Sequence, residues 1–389
     1  MTHADPEERG EITVRPVRDR MDHKAFINLP WTIYAGDPQW RAPLKRSVTR
    51  RMNTKANPFH AEAAIDHFVA YRRTNGVETA VGRVSVTVDP DYTARYGRYA
   101  FFGFFESTDD ARVAGALLST AEQWARQHGM AVLTGPYNYS TREEIGLLVD
   151  GFDEPPTLMQ PHNPRYYPRL LNQAGYVTRF DTTCYRWRRG TDDDHAERLR
   201  RRARKVLASG TVSVRSPDVR CYEAELELLR NIYNDSFHDH PEHVPVSAPV
   251  FSSMAKELRR ILDPDLIRII DVDGSAAGFL MMIPDLNQVV PRSGRLTAPL
   301  LARLLLKRDG HIPGIDTAVV VMIGAAQSSF GAGIGRVIAG EITDIIAASR
   351  YRQVATTWVH QDNRWSKALV AQMNSQPTKR YRVYEKAVA

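Results

Sequence analysis

Residues 319–340 read VVVMIGAAQSSFGAGIGRVIAG, an apolar, β-branched run followed by glycines at 331, 333 and 335 and then by an amphipathic segment. This stretch restricts the fold more than any other. The run Ala318 to Ile323 predicts a buried strand, and Val337 to Ala348 predicts a helix. Glycines at every second position between them predict a tight loop. Its backbone N–H groups can approach an anionic or carbonyl-rich ligand, and the helix dipole adds to the attraction. The pattern lacks the third glycine and ribose-binding acid of a dinucleotide fingerprint, and the Gly-Lys-Ser/Thr ending of a phosphate loop.

Along the rest of the chain, strands are predicted over Ile12 to Val17, His67 to Arg72, Thr79 to Val88 and Arg98 to Glu106, with Asn75-Gly76 as a hairpin turn. Asp22 is expected to cap a first helix, and Asp109 or Asp110 a helix carrying Val113, Leu117, Leu118, Ala121 and Trp124. Strand Met130 to Thr134, helix Pro164 to Gln173 and strand Thr178 to Trp187 follow. The stretch Gly135 to Asn163 is far longer than the roughly four to six residues of an ordinary connection; loops of this length tend to be functional or mobile, and its mixed polar and apolar content argues against disorder. The second half gives helices 222–237, 248–262 and 299–307, strands 266–271 and 276–283 joined by Asp273-Gly274, the strand 318–323, helix 332–348, strand 352–359, helix 363–374 and strand 380–386. Strand, helix, strand, helix, strand therefore occurs from Tyr99 to Trp187 and again from Ala318 to Lys386. His162-Asn163 and Asp362-Asn363 stand before the last helix of each half, and an internal duplication accounts for both.

This order resembles the GNAT acetyltransferases, in which a Gln/Arg-x-x-Gly-x-Gly/Ala loop joins a strand to a helix. Here the loop reads Ser328-Ser329-Phe330-Gly331-Ala332-Gly333, then Ile334-Gly335, so Ser328 replaces the family's Gln or Arg and Phe330 a common second Arg. The resemblance implies an α/β (α+β) fold of two GNAT-like domains, residues 1–190 and 211–389, each a mixed, mostly antiparallel sheet flanked by helices. A basic linker helix, 191–210, would join them. It also implies a V between splayed strands that admits an acyl donor, with contacts from Met322, Ile323, Gly331, Gly333, Ile334, Gly335 and Asn363. The first half has Glu106, Asp109 and Asp110 where a glycine loop would be, and three acids repel a pyrophosphate. That half is expected to be degenerate as a donor site and to help build an acceptor pocket or interface.

Acyl transfer to an amine needs a proton acceptor, N–H donors for the oxyanion and a proton for the leaving group. His360, after the strand ending at Val359, is the expected base, with Asp285 and Asn287 orienting the amine. Tyr381 is the candidate donor to the leaving group, because Trp365 occupies the helix position where the family carries a tyrosine. Asn138, Ser140, Glu144, Tyr166 and Tyr167 are candidate acceptor-binding groups, with helix capping by Ser140 and Thr141 as the alternative. His238, His240 and His243 have no helical ligand register because Pro241 breaks the segment, so no metal is expected.

The formal net charge of +7 points to an anionic partner. Arg188, Arg189, Arg198, Arg201, Arg202, Arg204 and Lys205 form the densest basic group, a candidate RNA-binding surface, although Asp192, Asp193, Asp194 and Glu197 supply opposite charge. With few cations at the glycine loop, aminoacyl-tRNA is the favoured co-substrate, as in GNAT-fold enzymes of natural-product pathways, and a small-molecule amine the acceptor. Acyl-CoA is the alternative donor. A non-catalytic RNA- or metabolite-binding protein is the second alternative. No tightly bound cofactor is expected. No apolar run approaches the roughly 18 residues of a membrane span, and Cys184 and Cys221 suggest no disulfide framework, so a cytoplasmic protein without a membrane partner is expected.

Overall fold

The computed structural model describes residues 10–258, 261–306, 311–329 and 331–388. Phe330 and Lys307, both used in the sequence reading, and residues 259–260 of the expected helix 248–262 lie outside the described residues. The first half contains β1 (Glu11–Pro16), α1 (Arg20–Ile33), α2 (Lys45–Met52), α3 (Phe59–Glu62), β2 (Ala64–Thr74), β3 (Val77–Val88), α4 (Pro90–Tyr96), β4 (Tyr99–Ser107), α5 (Ala111–Gln127), β5 (Val132–Gly135), β6 (Leu147–Asp150), α6 (Tyr167–Gln173) and β7 (Val177–Arg188). Helix α7 (Asp193–Leu207) follows. The second half contains β8 (Val212–Arg215), α8 (Tyr222–Ser236), α9 (Ala248–Leu258), β9 (Ile267–Val272), β10 (Ser275–Pro284), α10 (Ala298–Leu305), β11 (Thr317–Ala325), α11 (Ile334–Ala348), β12 (Gln353–Thr356), β13 (Val359–His360), α12 (Arg364–Gln372) and β14 (Gln376–Ala387).

Local chemistry explains most boundaries. Asn75-Gly76 and Asp273-Gly274 have the paired positive φ angles of tight hairpins, 52° and 78° in one and 51° and 77° in the other. Asp110 caps α5 by accepting from the Arg112 amide. Asp19, rather than Asp22, caps α1. Asp22 is buried and accepts from the Tyr71 hydroxyl at 2.7 Å. The expected strand 352–359 is two, because β12 pairs with β11 on one side while β13 pairs only with β7. Two short strands, β6 and β8, escape a periodicity reading because four residues are too few to establish a pattern.

The described strands form one fourteen-stranded sheet, twelve of them in the order β1-β2-β3-β4-β5-β14-β7-β12-β11-β10-β9-β8, with β13 paired to β7 and β6 to β14 off this path. Each half gives up its last strand. β14 lies against β5 of the first half, from Tyr384↔Gly135 to Ala387↔Val132, and β7 lies against β12 of the second. β7 and β14 then pair with each other at the centre. The exchange brings Tyr185 and Trp187 of β7 into the second half.

Helix α7 packs antiparallel along α11. A Cβ on Gly340 would fall 2.4 Å from that of Ala203, so the helices cross closely enough to require glycine there. An apolar cluster containing Phe26, Phe59 and Tyr139 from the first half and Phe251, Phe279 and Val319 from the second holds the halves together.

Candidate active site

β11 and β12 run parallel and pair only from Thr317↔Gln353 to Val320↔Thr356. Beyond that apex β11 continues to Ala325 while β12 stops, and the strands splay. A cavity of about 160 Å³ occupies the opening. Its walls are mainly apolar: Val320, Val321, Met322 and Ile323 from β11, Val370 of α12 and Met373 at its C-cap, Tyr233 of α8 and Phe237 at its C-cap, and Phe251 and Met254 from α9. Tyr185 and Trp187, brought by the strand exchange, also line it.

The corresponding splay in the first half is filled by its own chain. β4 and β5 pair only from Tyr99↔Val132 to Phe101↔Thr134. The Tyr137 amide then donates to the Phe102 carbonyl at 2.7 Å, and the Phe104 amide donates to Asn138 Oδ1 at 2.7 Å. A Cβ on Gly103 would lie 1.8 Å from the Tyr137 carbonyl oxygen, so only glycine allows the segment to enter. Glu106 is likewise committed: buried beside Arg83, it accepts from Tyr167 at 2.6 Å and Tyr34 at 2.8 Å.

At the glycine loop, Gly331 and Gly333 have φ angles of 102° and 86°, in the region that disfavours side chains. Gly333 occupies the N-cap of α11 without a side-chain cap, so the Ile334 and Gly335 amides can face a ligand, while the Arg336 amide donates to the Gly333 carbonyl at 2.9 Å. Ile334 is buried against Gly278, and Gly335 lies under the Trp365 ring. Val206 of α7 would meet a Cβ on Gly333 at 3.0 Å, which places the C-terminal end of the basic helix beside this loop. There, Arg201, Arg202 and Lys205 are exposed and Arg336 opens α11. The remaining basic residues are largely occupied. Arg204 pairs with Glu197 and Arg198 with Asp192, and Arg189 donates to the Ile346 carbonyl; Arg188 is exposed.

The loop 238–246 forms one wall and is clasped by the first half. Glu242, at φ 69°, pairs with Arg179 at 2.7 Å and accepts from Tyr92 at 2.7 Å and Tyr137 at 2.9 Å. Tyr96 donates to the His243 carbonyl, and Arg142, a cavity residue, donates to that of Val244. This clasp orients His240, also in the cavity wall. His240 Nδ1 lies 2.5 Å from the Pro241 carbonyl, which makes it the protonated nitrogen and leaves Nε2 as an acceptor. Burial lowers the pKa of His240 from its ordinary value. The His360 ring stands 5.5 Å away, edge to face. His360 accepts from the Asp362 amide through Nδ1, so its buried Nε2 carries the proton, and burial followed by the charge of His240 brings its pKa down to about 4. Both imidazoles are neutral at neutral pH.

The structure brings Met322, Ile323 and Asn363 to the cavity, with Asn363 also capping α12. His360 sits behind His240 rather than in the wall. Asp285 is buried and accepts from the Leu158 amide at 2.9 Å, Asn287 donates to the Pro156 carbonyl and Tyr381 to that of Pro161. These three fasten the long loop and do not line the cavity. Of the expected acceptor residues, Asn138 bonds Phe104 and Glu144, Ser140 Oγ accepts from the Arg142 amide, and Tyr166 and Tyr167 bond Ser107 and Glu106. Their neighbours Thr141, Arg142 and Met159 reach the cavity instead. Sequence reading singled out neither Arg142, Met159 nor Glu242, and considered Thr141 only as a helix cap and His240 only as a metal ligand. The aromatic pair Tyr233 and Phe237, one helical turn apart, was the available signal. Among the described residues no group of three or more His, Cys, Asp or Glu could hold a metal ion.

No family model matches the chain. Solved structures with the same fold include a tandem GNAT protein from the clavulanic acid biosynthesis pathway, 14% identical with TM-score 0.54, the alignment covering 97% of this chain and 99% of that one. A GCN5-related N-acetyltransferase from Sphaerobacter thermophilus is also 14% identical, with TM-score 0.50 and 97% and 96% coverage. Protein YghO of Escherichia coli is 28% identical over 381 residues, covering 96% of this chain and 95% of that protein. A Caulobacter vibrioides protein named bacterial ceramide synthase is 31% identical over 388 residues, covering 97% of this chain and 98% of its own length. With that identity across both chains and the tandem GNAT fold beneath it, this chain belongs to the family of GNAT-type acyltransferases that includes the Caulobacter bacterial ceramide synthase.

Proposed function

We propose that this protein forms an amide by moving a long-chain acyl group from a coenzyme A thioester to the primary amine of a lipid base. The observation that carries the reading is the mainly apolar cavity running through the splay between β11 and β12. An acetyl group needs no such lining. A fatty chain gains about 0.8 kcal/mol for each methylene removed from water. The name of the Caulobacter relative, bacterial ceramide synthase, supports the same chemistry. Acyl-CoA also suits the uncapped α11 N-terminus with Arg336 and the end of α7 beside it. The argument for aminoacyl-tRNA weakens, because Arg189, Arg198 and Arg204 already have protein partners.

In this reading the neutral Nε2 of His240 accepts the proton of the attacking amine. The C–N bond forms first to give a tetrahedral oxyanion held by amides of the splayed part of β11; as it collapses the C–S bond breaks, and the departing thiolate takes up the proton held on His240 Nε2 and leaves as the thiol. Incubating the purified protein with a sphingoid base and CoA thioesters from acetyl to stearoyl, with mass spectrometry of the products, tests it. The N-acyl product is expected, made preferentially from the long thioesters. Product formed only from aminoacyl-tRNA and abolished by ribonuclease, or a preference for acetyl-CoA, overturns it.

A further inference from the structure

Helix α10 and the residues flanking it at both ends carry four of the most exposed large apolar side chains among the described residues: Leu296, Leu301, Leu305 and Leu306, at 42%, 44%, 85% and 59% exposure. Leu300 is buried and Leu304 half-buried, so the helix is anchored by one face and presents leucines on the other. Leu304 packs against the apolar cluster that also contains Phe251 and Met322 of the cavity wall. A monomeric protein rarely groups leucines this way without a partner.

Charge identifies the partner. From Leu286 to Arg308 the sequence contains no Asp or Glu, and Arg292, Arg295 and Arg303 are exposed along it. Helix α2 extends the basic rim. The Lys45 backbone amide bonds the Gly294 carbonyl, Lys45 Nζ stacks 4.1 Å over the Trp31 ring, and Arg46 is exposed beside it. The Trp31 indole donates to the Arg292 carbonyl, fixing an amphipathic ring within the same patch. Leucines inside a rim of cations, with no acid in the connecting segment, complement a surface that is apolar beneath and anionic on top. No helix among the described residues is long and apolar enough to cross a membrane.

We propose that the α10 face docks on the surface of an anionic lipid bilayer, its leucines entering the headgroup boundary and its arginines and lysines meeting lipid phosphates. The docking departs from the expectation of no membrane partner. It stands on the α10 face and its basic rim and would hold for any acceptor, while giving the acyltransferase reading a route to a lipid amine.

Co-sedimentation of the full chain with vesicles, a readout separate from catalysis, tests it. Vesicles of phosphatidylcholine with phosphatidylglycerol are expected to bind at least about tenfold more protein than phosphatidylcholine alone, and high salt should reverse the difference. The double variant L301S/L305S should lose about tenfold in binding with its melting temperature unchanged, because both side chains are exposed. R295E/R303E should remove the preference for anionic lipid. Absence of binding to anionic vesicles, or binding insensitive to both double variants, overturns the proposal. A dimer in solution that L305S/L306S converts to monomer also overturns it, assigning the face to a second copy of the chain.

Discussion

The Phe104 amide donates to Asn138 Oδ1 at 2.7 Å, three residues past the last rung joining β4 to β5. In the second half the residue three past the corresponding rung is Ile323, which lines the cavity. One duplicated splay has thus been sealed from within, and the other left open. Asn138→Leu should destabilise the protein by about 1–3 kcal/mol, the cost of an unpartnered buried amide, without lowering kcat. Calorimetry with steady-state kinetics checks it; a fall in kcat larger than the stability loss explains would return Asn138 to the active site.

His240→Gln should lower kcat by roughly 10²–10⁴-fold with little change in the KM for acyl-CoA, because only proton transfer is lost. His360→Gln should cost less, since His360 acts through its contact with His240. Because burial lowers the His240 pKa, its neutral form is fully present at neutral pH. The contribution of this group should therefore be on a plateau there and fall only below its ordinary value of about 6.5. The pH dependence of kcat in both variants is the measurement.

Much of this architecture is legible in the chain. Gly331, Gly333 and Gly335 between an apolar run and an amphipathic segment announce a strand, loop and helix, and the two hairpin dipeptides fix their turns. The strand exchange is hidden, because the residues of β7 and β14 alternate in the same way whichever strand lies beside them. The plug is hidden too: nothing distinguishes Asn138 as a partner for Phe104 from Asn138 as a ligand group until the backbone brings them together. His360 stands out by its place after a strand, whereas His240 lies in a proline-broken loop. It becomes a candidate only when Arg179, Tyr92 and Tyr137 are seen holding the neighbouring Glu242.

Acid should unfold the protein through its buried imidazoles. Burial, then neighbouring histidines or arginines, brings His67 and His243 down to about 3, and burial then His240 brings His360 to about 4. In the unfolded chain each titrates near 6.5. Below that pH the unfolded state binds protons that the native state does not. Stability is therefore fully present above about pH 6.5 and is lost as the pH falls towards 4. His360 alone accounts for on the order of 2–3 kcal/mol at the acid end. Denaturant midpoints measured across this range should fall steadily with pH, and His360→Asn should flatten the slope.

Gly333→Val should raise the KM for every CoA thioester by at least about tenfold, since φ 86° and the approach of Val206 both exclude a branched side chain. R202E/K205E, on the exposed face of α7 near the same loop, should also weaken CoA thioesters, but with a dependence on salt that the glycine variant lacks. Isothermal titration with CoA at two ionic strengths separates the two effects.

The proposed donor gives the acyl chain a direction through the cavity. If the donor is acyl-CoA, as proposed, with its phosphates at the α11 N-terminus, its thioester is expected to enter from the α11 and α12 side, near Val370 and Met373, and its chain to extend past Val320 towards Phe251 and Met254. Met254→Trp should then fill the far end and shift the preferred donor to shorter chains. Each methylene that no longer fits costs about 0.8 kcal/mol, so losing four would lower kcat/KM for the longest thioester by about 200-fold, with short thioesters nearly unaffected. Val370→Trp, on the entry side, should instead obstruct donors of every length alike. Competition between acyl-CoAs of graded length reads both variants in one mixture. A length-selective effect at Val370 with none at Met254 would reverse the path of the chain through the sheet.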